Sequence, residues 1–90
     1  MPEQRFLIGN RLGLHARAAA KLVQTLSAFS AEATIEAGSR RVNGKSIMGV
    51  MLLAAAPGSE IRVRTDGADA ELALAAVADL IGRHFDEEPM

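Results

Sequence analysis

His15-Ala16-Arg17 places an imidazole and a guanidinium at the point where an apolar strand has ended, a glycine-bearing loop has turned and a helix begins. A helix start presents unpaired backbone N–H groups and partial positive charge, which together favour an anion. The same charge disfavours imidazolium, so a ring nitrogen stays free to attack an electrophile. Neutral imidazole is a good nucleophile near neutral pH and a good leaving group, a combination suited to accepting and releasing a phosphoryl group. Most histidines at loop–helix junctions carry no chemistry, so His15 needs support from elsewhere in the chain.

That support comes from a second stretch, Asn43-Gly44-Lys45-Ser46, followed by Ile47-Met48-Gly49-Val50-Met51-Leu52-Leu53. Ser46 is placed to cap a short helix, which Pro57-Gly58 ends. This helix is apolar nearly all round, so part of it is expected to face water. Val50 and Leu53 are assigned to the core. Ile47, Met48 and Met51 are assigned to an exposed surface, where flexible and polarizable methionines suit several partners. His84, expected in the last turn of the last helix, suits the dipole there and receives no chemical role.

The elements that must hold these residues follow from periodicity. Glu3 to Ile8 alternates as a strand, with Phe6 and Ile8 on one face and Arg5 and Leu7 on the other. A helix is expected from about Ala16 to Ala28, with Ala19, Leu22, Val23, Leu26 and Phe29 as its inward stripe. Glu32 to Ala37 alternates again, Gly38-Ser39 turns, and Arg40 to Val42 returns as a partner strand. Glu60 to Thr65 buries Ile61, Val63 and Thr65. Asp66-Gly67 turns, and Asp69 caps a last helix running from Ala70 to about His84. Its stripe is Ala70, Leu74, Val77 and Ile81, widened by Ala73 and Leu80, and the acidic tail from Asp86 to Met90 is expected to fray.

The order strand–helix–strand–strand–helix–strand–helix predicts one antiparallel sheet with helices on one face. Ninety residues, 49% hydrophobic and 23% charged, fit one globular domain over residues 1–90. There is no cysteine, which excludes disulfides, thiolate chemistry and cysteine-bound metal clusters and fits a cytoplasmic location. A net charge of −1, with no Trp or Tyr, argues against nucleic acid. The longest apolar stretch, Ile47 to Ala56, is far short of the ~20 residues of a membrane span, so no membrane insertion is expected.

Two motifs in this chain resemble those of the histidine-containing phosphocarrier (HPr) family of the phosphoenolpyruvate-dependent phosphotransferase system. Leu12-Gly13-Leu14-His15-Ala16-Arg17 looks like the family's phosphorylation-site motif, and Lys45-Ser46-Ile47-Met48-Gly49-Val50-Met51 like its regulatory-serine motif. The resemblance covers essentially the whole chain. It implies an α+β open-faced β-sandwich of order βαββαβα, four antiparallel strands covered on one face by three helices. It implies that His15 takes a phosphoryl group on Nδ1 from enzyme I, charged by phosphoenolpyruvate, and passes it to a sugar-permease A component. The amides of Ala16 and Arg17 and the Arg17 side chain would hold the phosphate, with no cofactor and no metal. It further implies a kinase or phosphorylase acting on Ser46, and a monomeric carrier that is itself no enzyme.

Partners are expected on the face built from the first helix and Ile47–Met51, in brief complexes burying at most roughly 1,200 Å². One departure stands out, Ala18 where the family commonly has proline. Alanine keeps the helix but leaves its first turn less constrained, which bears on partner choice. Two rivals remain, a nitrogen-regulatory paralogue of the same carrier and a ferredoxin-like ligand-binding module that would dimerise through its sheet edges. A hydrolase is disfavoured, because the sequence shows no carboxylate partner for an exposed histidine.

Overall fold

In the computed structural model, which describes residues 2–53 and 55–89, the alternation of Glu60–Asp66 becomes strand β4 of a four-stranded sheet. The readings that touch Met1, Ala54 and Met90, including the last residue of the tail, lie outside the described residues. Ile61, Val63 and Thr65 are buried, while Arg62 and Arg64 point to the opposite face. Strand β1 (Glu3–Leu7) lies antiparallel along one side of β4, with Glu3 opposite Arg64. Strand β2 (Glu32–Ala37) lies antiparallel along the other, with Ile35 opposite Val63. Strand β3 (Arg40–Asn43) pairs with β2 across the Gly38-Ser39 turn and completes the order β1-β4-β2-β3.

Helices α1 (Ala16–Ser27), α2 (Ile47–Leu52) and α3 (Ala70–Gly82) cover one face of the sheet. The α1 stripe of Ala19, Leu22, Val23 and Leu26 is buried as its spacing requires, and Phe29 packs half-buried beside it. Ala70, Ala73, Leu74, Val77, Leu80 and Ile81 do the same for α3. All of these but Ala70 meet Phe6, Ile8, Ala33, Ile35, Ile61 and Val63 in a single core. The open face carries cross-strand ion pairs instead, Arg64 with Glu3 at 2.7 Å and Arg41 with Glu36 at 3.0 Å. Exposed pairs of this kind contribute at most ~1 kcal/mol each, so that face is solvated and the stability resides in the other.

Four local expectations need correction. Helix α2 ends at Leu52 and not at Pro57-Gly58. Leu53 is drawn into the core and the Ala55 carbonyl accepts from Leu14 N–H at 2.9 Å, so the backbone leaves the helical path. Gly58 instead joins the end of β1, its N–H reaching Ile8 O at 2.7 Å. Asp69 stands at the N-cap position of α3 but caps nothing with its side chain. Its carboxylate accepts from the N–H groups of Ser30 and Ala31, at 2.9 and 2.8 Å, and ties the α1–β2 loop to the start of α3.

The Ser30 amide, with that of Ala31, holds the Asp69 carboxyl below its ordinary value of 3.8 against a smaller opposing effect of burial. A lowered carboxyl contributes stability that is present above its unfolded value and lost as pH falls through the folded one. Asp69→Asn should therefore flatten the acid limb of the stability curve. Thermal midpoints measured from pH 6 to about pH 2 would show the variant losing less stability below about pH 4 than the parent.

Helix α3 stops at Gly82, short of His84. His84, Phe85 and Asp86 then take φ of 56°, 55° and 59°, a left-handed turn built without glycine. Such a conformation costs roughly 1–2 kcal/mol per residue and persists only where its surroundings over-determine it. Here Phe85 is fully buried, Lys21 Nζ donates to its carbonyl at 2.9 Å, and Asp86 pairs with Arg83 at 2.9 Å. The turn sends residues 87–89 back across the loop that precedes α1. The tail is docked there and not frayed: Arg11 N–H donates to Glu88 O at 2.8 Å, and Asn10 bridges to Pro89.

Candidate functional site

The loop between β1 and α1 is shaped by two glycines. Gly9 admits the His84 ring, which lies 3.0 Å from where a Cβ would stand. Gly13 has φ of +68°, and a Cβ there would meet the Ala55 carbonyl oxygen at 2.6 Å. The Asn10 side chain, fully buried, clamps this loop through a bond from Nδ2 to Gly13 O at 2.8 Å. Its Oδ1 has no partner among the described residues.

His15 emerges from this loop as the N-cap of α1, with extended backbone. Its Nδ1 accepts from the Arg17 N–H at 3.3 Å, which satisfies one of the orphan amides of the helix start. Nε2 lies 2.8 and 2.9 Å from the two carboxylate oxygens of Glu87. An ionised carboxylate can only accept and a backbone N–H can only donate, so the two partners together select the neutral tautomer with its proton on Nε2. The lone pair is left on Nδ1, facing the helix start. His15 is 29% exposed in its side chain and Glu87 only 11%.

Burial alone would raise the Glu87 carboxyl. Hydrogen bonds from His15 and Asn10, with the positive charge of Arg17, outweigh it and hold the group below its ordinary value of 4.5. The histidine therefore does have a carboxylate partner, contrary to the sequence reading.

Arg17 is exposed, and among the described residues its guanidinium has no ion pair or hydrogen bond. With Arg11, Leu12, Asp86, Glu87 and Glu88 it lines an open cleft of about 630 Å³ beside the histidine. Ala18 is fully buried in the first turn of α1, before the first intrahelical bond from Ala19 N–H to His15 O at 2.8 Å. A proline there would remove an amide that has no helical partner in any case.

Ser46 caps α2 as its position suggests, its Oγ accepting from Gly49 N–H at 3.1 Å. Val50 and Leu53 are buried, while Ile47, Met48, Met51 and Leu52 are exposed, Met48 to 73%. Helices α1 and α2 pack together within the helical layer. Leu12, 65% exposed beside Arg17, is a further apolar group at the site that periodicity gave no reason to single out. Among the described residues, no helix is long and apolar enough to cross a membrane.

Residues 2–83 match the family model described as PTS HPr component phosphorylation site. The chain is 52% identical over 88 residues to the phosphocarrier protein HPr of Xylella fastidiosa (strain 9a5c), covering 98% of this chain and 99% of that protein. The crystal structure of HPr-C-His from Thermoanaerobacter tengcongensis superposes with a TM-score of 0.94, at 44% identity over 98% of this chain and 99% of that one. The histidine-containing phosphocarrier protein of a Mycoplasma follows at 0.86 and 38% identity, covering 92% and 96%. An open-faced sandwich of this order, with a family match across the site, defines a phosphocarrier and not a catalytic enzyme. The chain belongs to the HPr family of the phosphotransferase system. That membership displaces the ferredoxin-like reading.

Proposed function

We propose that this chain accepts a phosphoryl group from enzyme I on Nδ1 of His15 and passes it to a sugar-permease A component in the cytoplasm. The observation that carries the reading is the Nδ1 lone pair held at the start of α1 by a proton on Nε2. A phosphoryl group on that nitrogen would take over the Ala16 and Arg17 amides in place of the present Arg17 N–H bond. The free Arg17 side chain would close on it. For unit charges 4 Å apart this is worth ~1 kcal/mol in water and about 4 at an effective dielectric of 20, so the gain rises when a partner excludes water.

Incubation with enzyme I and phosphoenolpyruvate, followed by mass analysis, tests this reading. One added phosphate, labile in acid and stable in alkali, supports it. No transfer, or an acid-stable phosphate, would count against it.

Ile47, Met48 and Met51 form the apolar part of the partner surface, and Ser46 beside them is the site of regulation by a kinase. Phosphorylation there adds about −1.5 to −2 charge that a docked partner must desolvate. Ser46→Asp should keep the helix cap, since aspartate caps as well as serine does. Transfer from enzyme I should slow by about tenfold or more, tenfold corresponding to ~1.4 kcal/mol of lost docking. An unchanged transfer rate would remove the electrostatic account of Ser46.

A further inference from the structure

The tail brings one carboxylate to the ring nitrogen that the transfer leaves unused. Both oxygens of Glu87 lie within 2.9 Å of His15 Nε2, and its Oε1 also accepts from Asn10 Nδ2 at 2.9 Å. The same Nδ2 holds Gly13 O, so carboxylate, asparagine and loop form one frame around the imidazole. We propose that Glu87 is a positioning residue for the phosphoryl relay, keeping the proton on Nε2 while Nδ1 gains and loses the phosphoryl group. This rests on the reading of His15 as the acceptor.

The Nδ1 lone pair forms the N–P bond, and the donor's bond to phosphorus breaks with its electron pair staying on the donor. The ring then carries positive charge, its Nε2 proton still opposite the Glu87 carboxylate. On delivery the acceptor's lone pair attacks phosphorus, the N–P bond breaks and its pair returns to Nδ1. No proton enters or leaves at Nε2 over the cycle. Were that proton lost from the phosphorylated ring, the leaving group would be an imidazolate, a far poorer one than neutral imidazole. A carboxylate within hydrogen-bond reach of Nε2 opposes the loss.

Other charges around the ring are engaged elsewhere. Glu88 pairs with Arg11 at 2.9 Å, and Asp86 pairs with Arg83 at 2.9 Å and with Lys21 at 3.6 Å. The Arg17 backbone N–H lies on the Nδ1 side, and His84 packs on Gly9. Glu87 is thus the one carboxylate placed to act on Nε2 among the described residues.

The test uses the full chain, phosphorylated with enzyme I and phosphoenolpyruvate, and follows single-turnover delivery to a permease A component between pH 6 and 9. Glu87→Gln keeps the shape and loses the charge, and Glu87→Ala loses both. At pH 6 both variants should match the parent. At the alkaline end both should deliver about tenfold more slowly, because the carboxylate that opposes loss of the Nε2 proton is gone. Amide spectra that overlay away from the tail establish that the fold is kept. Superimposable pH profiles overturn the proposal, and so does a uniform loss at every pH, which would mark a structural role only. If the parent takes no phosphate on His15, the underlying reading falls and the proposal with it, an outcome visible before any variant is compared.

Discussion

His15→Ala gives a folded protein that takes no phosphoryl group from enzyme I and phosphoenolpyruvate. In the proposed relay the one nucleophilic atom is Nδ1, and alanine supplies none, so the loss is expected to be complete and not fractional. Structure should survive, because the side chain is partly exposed and outside the core. Its Nδ1 bond to Arg17 N–H is long at 3.3 Å, and losing an N-cap costs about 0.5–2 kcal/mol. For a chain of this size that lowers the thermal midpoint by several degrees, since about 1 kcal/mol moves it ~4–8 °C. Mass analysis after the transfer reaction, with a melting curve on the same sample, checks both halves. A folded variant that still gains an acid-labile phosphate would place the acceptor elsewhere.

Gly13→Ala should damage both stability and transfer. The residue has φ of +68°, where a Cβ costs roughly 1–2 kcal/mol before any contact is considered. The added Cβ would also meet the Ala55 carbonyl at 2.6 Å and Pro57 Cδ at 3.0 Å. The nearer atom is backbone, and it already accepts the Leu14 N–H, so relief requires moving the loop. A loss of about 2–4 kcal/mol is expected, read as a shift in denaturant midpoint. Because Asn10 holds the Gly13 carbonyl on one side and Glu87 on the other, the shift would be passed to the imidazole. Phosphorylation should slow at temperatures where the variant is still folded. Normal stability with normal transfer would mean that the loop accommodates a side chain.

What could be read from the sequence is what depends on near neighbours. The alternation of Ile61, Val63 and Thr65 sets the face of β4, and the stripe from Ala19 to Leu26 sets the buried side of α1, each within one element. His15 was legible for the same reason, since the chemistry of a helix start involves three successive residues. Glu87 was not. It lies 72 residues from His15, and in Asp86-Glu87-Glu88 it looks like any solvated acidic run. Nothing local announces the left-handed turn at His84–Asp86 that redirects it, because those residues include neither glycine nor asparagine. Asp69 shows the limit from another side. Its spacing was right for a cap, but amides 38 and 39 residues away compete for the same oxygens and win.

The strand order β1-β4-β2-β3 also constrains the history of each molecule as it is made. Strand β1 leaves the ribosome early, yet its partner β4 is synthesised some sixty residues later, Glu3 waiting for Arg64. Only the β2–β3 hairpin can close from adjacent sequence. Pairings of such separation pay their loop-closure entropy before any contact repays it, so the nascent chain should remain open until β4 arrives and then fold in one concerted event. The proposed phosphoryl site comes later still, because Asn10 and His15 gain their Glu87 contact only after α3 has docked and the chain has turned back.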